Sequence, residues 1–425
     1  MFQTMKQLFA PTNKDLRIRI LFTLGALMIF IIGIGVQVPG TKSLGTESLG
    51  FLELVNVMGG GAFRQFSIFA LGVMPYITAS IIVQLLQMDI FPYFSELKDE
   101  GPVGRQKLNQ ITRYMGIIFA FIEGFAFAFA FKGQLLRTNP TVMDYMYYAS
   151  VLTAGTAFLL WLGDQVTQKG IGNGISLLIM AGIVYTLPYM FQTAFNYLIH
   201  ESDLALWAGI ALFAGFVIVY FLIIIGVIFV ENAERKIPIQ YANKSTSVYA
   251  NQSFIPIKVD TAGVIPVIFA SSLLSIPAAL AQFIKKDAFT EFVNKYLTYT
   301  KPVGFIIFVA LIFFFAYFYT FIQLKPDDLA KNLKENGGFI PGVRPGKDTE
   351  NYIAKILSKL TIIGGIFLVV IAGLPIIFSN LSKLPSTVTI GGTSLLIVVG
   401  VALETYKQLE WSLVSRNYKK GYSRR

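Results

Sequence analysis

The sequence predicts an all-α polytopic membrane protein whose ten spans form two inverted five-helix halves. Three observations predict it. Of the 425 residues, 54% are hydrophobic and 14% charged, whereas a soluble chain carries about 25% charge, so lipid is the expected solvent. Ten apolar segments each approach the roughly 20 residues a helix needs to cross a bilayer. One stretch is also stated twice. GVMPYITAS at 72–80 matches GVIPVIFAS at 263–271 in six of nine positions, and GISLLI at 174–179 matches GTSLLI at 392–397 in five of six. The two echoes fall in the same order in both halves, which reads as an internal duplication.

The elements follow in order. Residues 1–16 are amphiphilic, and Arg17 and Arg19 precede an apolar run to about Val36. No small-residue cleavage site is evident and many spans follow, so the run at 18–37 is a first span and not a signal peptide. Further spans are expected near 67–88, 114–131, 148–163, 172–193, 205–230, 262–283, 303–324, 356–378 and 390–406. Residues 50–66 differ. The run Phe51–Met58 (with Leu52, Leu54, Val55 and Val57) is too short to span, and Gly59, Gly60, Gly61 and then Arg64 follow it. A half-inserted helix with a glycine hinge is expected, tolerated only where it is buried in protein or lines a wet cavity.

Placing both termini and alternate loops on one side puts 26 Lys and Arg there and 9 on the other, so the first side is cytoplasmic. Five spans per half (1–200 and 201–425) force the halves into opposite orientations, and such inverted repeats place the functional path at their interface. Val73 and Ile77 in span two, and Ile175 and Ile179 in span five, are spaced i, i+4 and share a helix face; Ile268 and Ile397 are their counterparts. A single Ile in a span is ordinarily packing. Six placed symmetrically make a dewetted apolar constriction. Pro75 and Pro266 are expected to bend their helices nearby.

Ionisable residues within spans are scarce. Glu123 lies mid-span as a coupling carboxylate or, more simply, as one member of a polar interhelical contact. With no Cys and one His, His200, most metal sites and catalytic triads are excluded. Gly-Ile-Ser at 174–176 lacks a base within reach, and no HExxH, P-loop or paired intramembrane Asp appears. The chain reads as no enzyme and implies no cofactor. The net charge of +11 reflects basic cytoplasmic loops. Two of these are large. Residues 231–260 carry Arg235, Lys236, Lys244 and Lys258, and 324–355 are rich in Pro and Gly and read as a turn-rich excursion. A docking surface for a bulky cytoplasmic partner is the sharper reading of the pair.

Several stretches together resemble the SecY family of protein-conducting channels nearly end to end: GALMIFIIGIGVQVPG, SIFALGVMPYITASIIVQLL, EGPVGRQKLNQITRY, WLGDQVTQKGIGNGISLLIMAGIV, AGVIPVIFASSLLSIP, GGFIPGVRPGKDTENYI and GGTSLLIVVGVALE. The resemblance implies an hourglass pore with a ring at Val73, Ile77, Ile175, Ile179, Ile268 and Ile397. It implies a plug near 52–66 and a lateral gate of spans two, three, seven and eight with polar contacts at Gln84, Glu123, Ser271 and Ser272. It implies a motor- or ribosome-docking Arg344, with Arg235 and Lys236 in the neighbouring loop. The implied function is secretion of unfolded preproteins across, and insertion of apolar segments into, the bacterial cytoplasmic membrane. The implied partners are the small subunits SecE and SecG, the ATPase SecA, the ribosome, signal sequences and lipid. One departure is Ser245, Thr246 and Ser247 where relatives carry extra basic residues, which weakens the expected ribosome contact. The alternatives are an inverted-repeat secondary transporter, a membrane scaffold, and an accessory, export-specialised member of the same family.

Overall fold

The computed structural model describes residues 14–44, 53–87, 91–136, 139–201, 206–241, 253–284, 287–298, 301–382 and 386–422. Each expected span corresponds to a helix. They are α1 (Lys14–Ile34), α3 (Met74–Leu86), α5 (Pro102–Ala130), α6 (Val142–Lys169), α7 (Gly174–Asn196), α8 (Leu206–Asn232), α9 (Ile265–Ile284), α11 (Pro302–Gln323), α13 (Lys347–Ser382) and α14 (Ser386–Tyr422). The short helices are α2 (Glu53–Met58), α4 (Pro92–Asp99), α10 (Asp287–Phe292) and α12 (Pro326–Glu335), and the strands are β1 (Glu234–Tyr241), β2 (Ser253–Lys258) and β3 (Gly338–Phe339). The chain divides into two compact units. One comprises residues 1–209, 279–286 and 384–425, the other 210–278 and 287–383.

In the first unit, the second span is only partly helical. The stretch 67–73 is not helix, and α3 starts at Met74 with Pro75 in its first turn. Pro75 therefore begins a helix where a bend was expected. The first turn needs no N–H from that residue, and the fixed φ of proline already suits it. Pro266 is likewise the second residue of α9. Gly72 and Gly263 both adopt left-handed φ, +55° and +59°. The duplicated Gly-x-x-Pro is thus one backbone device used twice: a left-handed glycine turns the chain and proline opens the helix.

Non-helical backbone at membrane depth must find partners inside the protein, and this stretch does. The Ile68 N–H donates to Val36 O at 3.0 Å, and Val38 N–H to Phe66 O at 2.9 Å. The Ser67 hydroxyl donates to Gly33 O at 2.9 Å, and the Thr156 hydroxyl to Gly72 O at 3.1 Å. Phe66 is fully buried with a φ of +51°, a conformation that costs a non-glycine residue about 1–2 kcal/mol. Its ring packs tilted against Phe127, centroids 4.5 Å apart, and Phe127 also meets Phe63 at 4.5 Å. Burial of these rings with Tyr145, Tyr148 and Leu152 offsets that strain.

In the second unit, the two loop excursions at 231–260 and 324–355 fold together, a sheet that the all-helical expectation omitted. Its order is β2-β1-β3, antiparallel, with Ile237 opposite Ile255 and Gln240 opposite Phe339. Ile237, Ile239 and Ile257 face a core shared with Leu333 of α12, Ile340, and Ile353, Ile356, Leu357 and Leu360 of α13. Helix α13 runs 36 residues, about 54 Å at 1.5 Å per residue. Its first turns belong to that core and the rest is the ninth span. The one helix therefore carries both the sheet's core and the span.

Candidate functional site

Within the first unit, Val73, Ile77, Ile179 and Ile397 are buried. Ile175 is partly exposed and lies over Gly163 of α6, where a Cβ would stand 3.0 Å from its Cγ1. Ile268 belongs to the second unit, four residues into α9 and partly exposed.

The expected half-inserted helix is α2, ELVNVM. Phe51 and Leu52 lie outside the described residues, as do the side chains of Leu54 and Val55. Val57 and Met58 are buried. The glycines after it form a hydrogen-bonded cap, not the open hinge expected. Gly61 N–H donates to Asn56 O at 2.7 Å and Gly60 N–H to Val57 O at 3.1 Å, with Gly60 at φ +70°. This is the Schellman pattern, in which a left-handed glycine closes the last turn on two otherwise orphaned carbonyls. The Arg64 N–H then donates to Asn56 Oδ1 at 3.0 Å.

Helix α2 rests on α7 and α14, two of the helices that carry ring candidates. The seat is a glycine pair. A Cβ on Gly60 would come within 3.2 Å of Gly182 Cα, and one on Gly182 would strike the Met58 carbonyl. Gly182 is three residues beyond Ile179, about 4.5 Å along the axis, so the cap sits one turn past the constriction candidates. Beside it opens a cavity of about 640 Å³, lined by Asn56, Arg64, Gln192, Ser394 and the stretch of α7 around Pro188. Among the described residues, Arg64 is the only charged one in its lining.

Gln84 Nε2 donates to Ser80 Oγ at 3.0 Å and Ser271 Oγ to Val267 O at 2.7 Å, both within their own helices. Ser272 is buried. Glu123 has no hydrogen-bond or ion-pair partner among the described residues, so the expected polar contact is not formed there. The neighbouring Gly124 instead brings α5 against Ala149 and Leu152 of α6.

Arg344 is exposed on the turn between β3 and α13, whose carbonyl accepts from Thr349 Oγ1 at 2.8 Å. Left-handed Gly342 and Gly346 flank it. Arg235 and Lys236 are both exposed on β1. Being successive strand residues, they project from opposite faces of the sheet. Lys236 is occupied, 3.4 Å from Glu234 Oε1 and 4.7 Å over the Phe254 ring. Ser245, Thr246 and Ser247 lie outside the described residues.

Sequence reasoning placed α6 as a span but missed the contacts it makes. Thr156, Gly163, Asp164 and Thr167 each touch a neighbouring element. The available signal for Thr156, Gly163 and Thr167 was a shared helix face: positions i, i+7 and i+11 fall within a sector of about 40° at 3.6 residues per turn.

A sequence model of the family described as SecY matches residues 67–406. The protein translocase subunit SecY of Staphylococcus epidermidis is 48% identical over 431 residues, covering 99% of each chain. That of Staphylococcus aureus is 46% identical over 433 residues, again covering 99% of each. Among solved structures, a protein-conducting channel aligns with a TM-score of 0.66 at 19% identity, covering 94% of this chain and 93% of that one. Sec61 from a canine ribosome–channel complex of the endoplasmic reticulum gives 0.62 at 18% over the same shares. At these identities the likeness speaks to fold.

Proposed function

The chain belongs to the SecY family, and from that premise we propose how its parts divide the work of a translocase channel. It is a multi-span membrane protein and the channel subunit of a protein translocase. Unfolded polypeptide crosses through the ring of Val73, Ile77, Ile175, Ile179, Ile268 and Ile397. An apolar collar offers an ion nothing to replace its hydration shell, so it holds back ions and water without a charged filter. At rest, α2 closes the path from the outer side. The observation that carries this reading is the Gly60–Gly182 seat one turn beyond Ile179. It is shape-matched but rests on few side chains, so the contact is weak enough, on the order of two or three buried groups, for an arriving chain to displace.

Spans two, three, seven and eight part sideways to release apolar segments into lipid. Gln84, Glu123, Ser271 and Ser272 keep that seam less cohesive than an all-apolar one. Energy comes from outside the chain, from SecA or the ribosome docking at Arg344 and the sheet carrying Arg235 and Lys236. The small subunits SecE and SecG complete the complex in the cytoplasmic membrane of a bacterium, with both termini inside.

The test is reconstitution into vesicles with the small subunits and the motor ATPase. The expected result is ATP-driven import of an unfolded secretory precursor with low resting ion leak. Deleting 54–62 is expected to retain import and raise leak. Loss of the deleted protein from the membrane would instead make α2 a static cap, and absence of import by the intact complex would overturn the reading.

A further inference from the structure

We infer that α6, which contributes no residue to the ring, sets the aperture of the ring by gripping the backbone of the helices that do. The inference rests on the ring reading above. Thr156, Gly163 and Thr167 lie on one face of α6, spread over about 16 Å of its axis. Each meets a backbone position next to a ring residue.

At one level, the fully buried Thr156 donates its hydroxyl to Gly72 O at 3.1 Å. Gly72 directly precedes Val73, and its left-handed conformation takes its carbonyl out of any helical ladder, leaving that oxygen for α6. The adjacent Gly155 is pressed against the Ile68 carbonyl, where a Cβ has no room.

Two turns on, α6 holds the start of α7. A Cβ on Gly174 would strike the Gly163 carbonyl, and Ile175 lies over Gly163. The Thr167 hydroxyl donates to Gly163 O at 2.9 Å and accepts the Gly174 N–H at 2.9 Å. That N–H belongs to a helix N-terminus and has no partner within α7.

A third tie runs through α5. Asp164 Oδ1 pairs with Arg113 Nη2 at 2.8 Å, half-buried. One turn along α5, Gly116 meets the backbone of Tyr76, with a would-be Cβ 3.2 Å from its Cα. Tyr76 directly precedes Ile77. Every helix in a bundle packs on neighbours. Here the grips on hydroxyls, glycines and a charge fall on the residues bordering Val73, Ile77 and Ile175.

These are positioning residues, and the readout is resting ion conductance of the full translocase complex in planar bilayers, at matched protein level. Thr156→Val, which keeps the shape and removes the donor, is expected to raise leak several-fold. Thr156→Ser, which restores the donor, is expected to return it to the wild-type value. Gly163→Ala, which pushes on Ile175, is expected to raise it. Trp161→Ala, on the exposed side of α6, perturbs the helix without touching a grip and is expected to leave leak unchanged. Ile77→Asn serves as the internal standard for the ring. If Ile77→Asn raises leak while Thr156→Val and Gly163→Ala do not, the ring stands and the inference is overturned. If Ile77→Asn is also silent, the ring reading fails and takes the inference with it. Should Thr156→Val not accumulate, Asp164→Asn in the half-exposed pair decides by the same readout: raised leak supports the grip and wild-type leak overturns it.

Discussion

Two alanine substitutions one residue apart separate the conformation of the plug's cap from its seat. Gly60 and Gly61 both adopt left-handed φ, +70° and +83°, so alanine strains either by a similar amount, about 1–2 kcal/mol. That strain is common to the seated and displaced plug as long as the Schellman turn persists, so it cancels from the opening equilibrium. The surroundings differ. A Cβ at Gly61 meets nothing within 4 Å, whereas one at Gly60 comes within 2.5 Å of Ile34 Cδ1, the movable end of a side chain, and within 3.2 Å of Gly182 Cα. Gly182 lies inside α7 and its backbone cannot retreat. Overpacking of this kind costs about 1–3 kcal/mol, and all of it falls on the seated state. At about 1.4 kcal/mol per tenfold, Gly60→Ala is expected to raise the open population between about 5-fold and about 150-fold, and Gly61→Ala hardly at all. Single-channel recording of resting openings reads this directly. Equal effects of the two substitutions would refute the seat, because strain alone would then account for both.

Further outcomes follow from the same geometry. Ile77→Asn and Ile268→Asn are each expected to hydrate the constriction and raise resting conductance; planar-bilayer currents indistinguishable from wild type for both would remove the ring assignment. Arg344→Glu is expected to slow motor-driven import with normal expression, because the exposed side chain sits on a turn whose fold depends on Gly342, Gly346 and Thr349 and not on the guanidinium; a normal import rate in reconstituted vesicles counts against docking there. Asp260, before α9, accepts from Gly263 N–H at 2.9 Å through Oδ1, while Oδ2 is buried without a hydrogen-bond partner among the described residues. Burial first, and then the nearby Glu231 carboxylate, push its carboxyl well above the usual range. A raised folded-state value means the folded protein holds the proton more tightly. The stabilising contribution is therefore complete below the ordinary value of 3.8 and is lost as pH rises through the folded value. Asp260→Asn, a permanently neutral isostere, is expected to flatten that decline and raise the melting temperature at alkaline pH; an unchanged pH profile would show that the carboxyl is already ionised.

The fold was legible wherever one local rule acted alone. The solvent dictates the spans, since a bilayer admits an isolated segment only as an apolar helix of fixed length, and each expected span has its helix. The same rule misled at 67–73, where apolar composition was read as helix. There the chain is apolar because it is buried: Ile68 N–H donates to Val36 O, the Ser67 hydroxyl to Gly33 O, and Gly72 O accepts from Thr156, partners no local window contains. The sheet was concealed for a related reason. Both long strands contain proline, Pro238 in β1 and Pro256 in β2, and proline in a run argues against a strand. The inward alternation of Ile237 and Ile239 becomes meaningful only with α12 and α13 behind it.

The ring candidates and the residues that position them differ in legibility for a physical reason. Val73, Ile77, Ile179 and Ile397 were found because a duplication repeats a sequence twice, and the repeat is visible without knowing what it touches. The contacts on α6 are single-copy and act between backbones. Gly163 and Gly174 signal nothing separately; a Cβ on Gly174 would strike the Gly163 carbonyl, and one on Gly163 would meet the Ile175 side chain. Thr156 is as plausible facing lipid, where its hydroxyl bonds back to its own helix as Thr153 does to Ala149 O at 2.7 Å. It is the left-handed Gly72, exposing a carbonyl 84 residues away, that gives Thr156 a different acceptor. The glycine of the duplicated stretch therefore has two consequences. It turns the chain so that proline can open the helix that carries the ring candidate Ile77, and in the first half it presents the oxygen by which a neighbouring helix holds that turn. The second half has the same left-handed Gly263, and there Asp260 caps the turn from within the same segment. The two copies share a backbone but anchor it differently, which makes Thr156→Val and Asp260→Asn the pair of substitutions that distinguishes them.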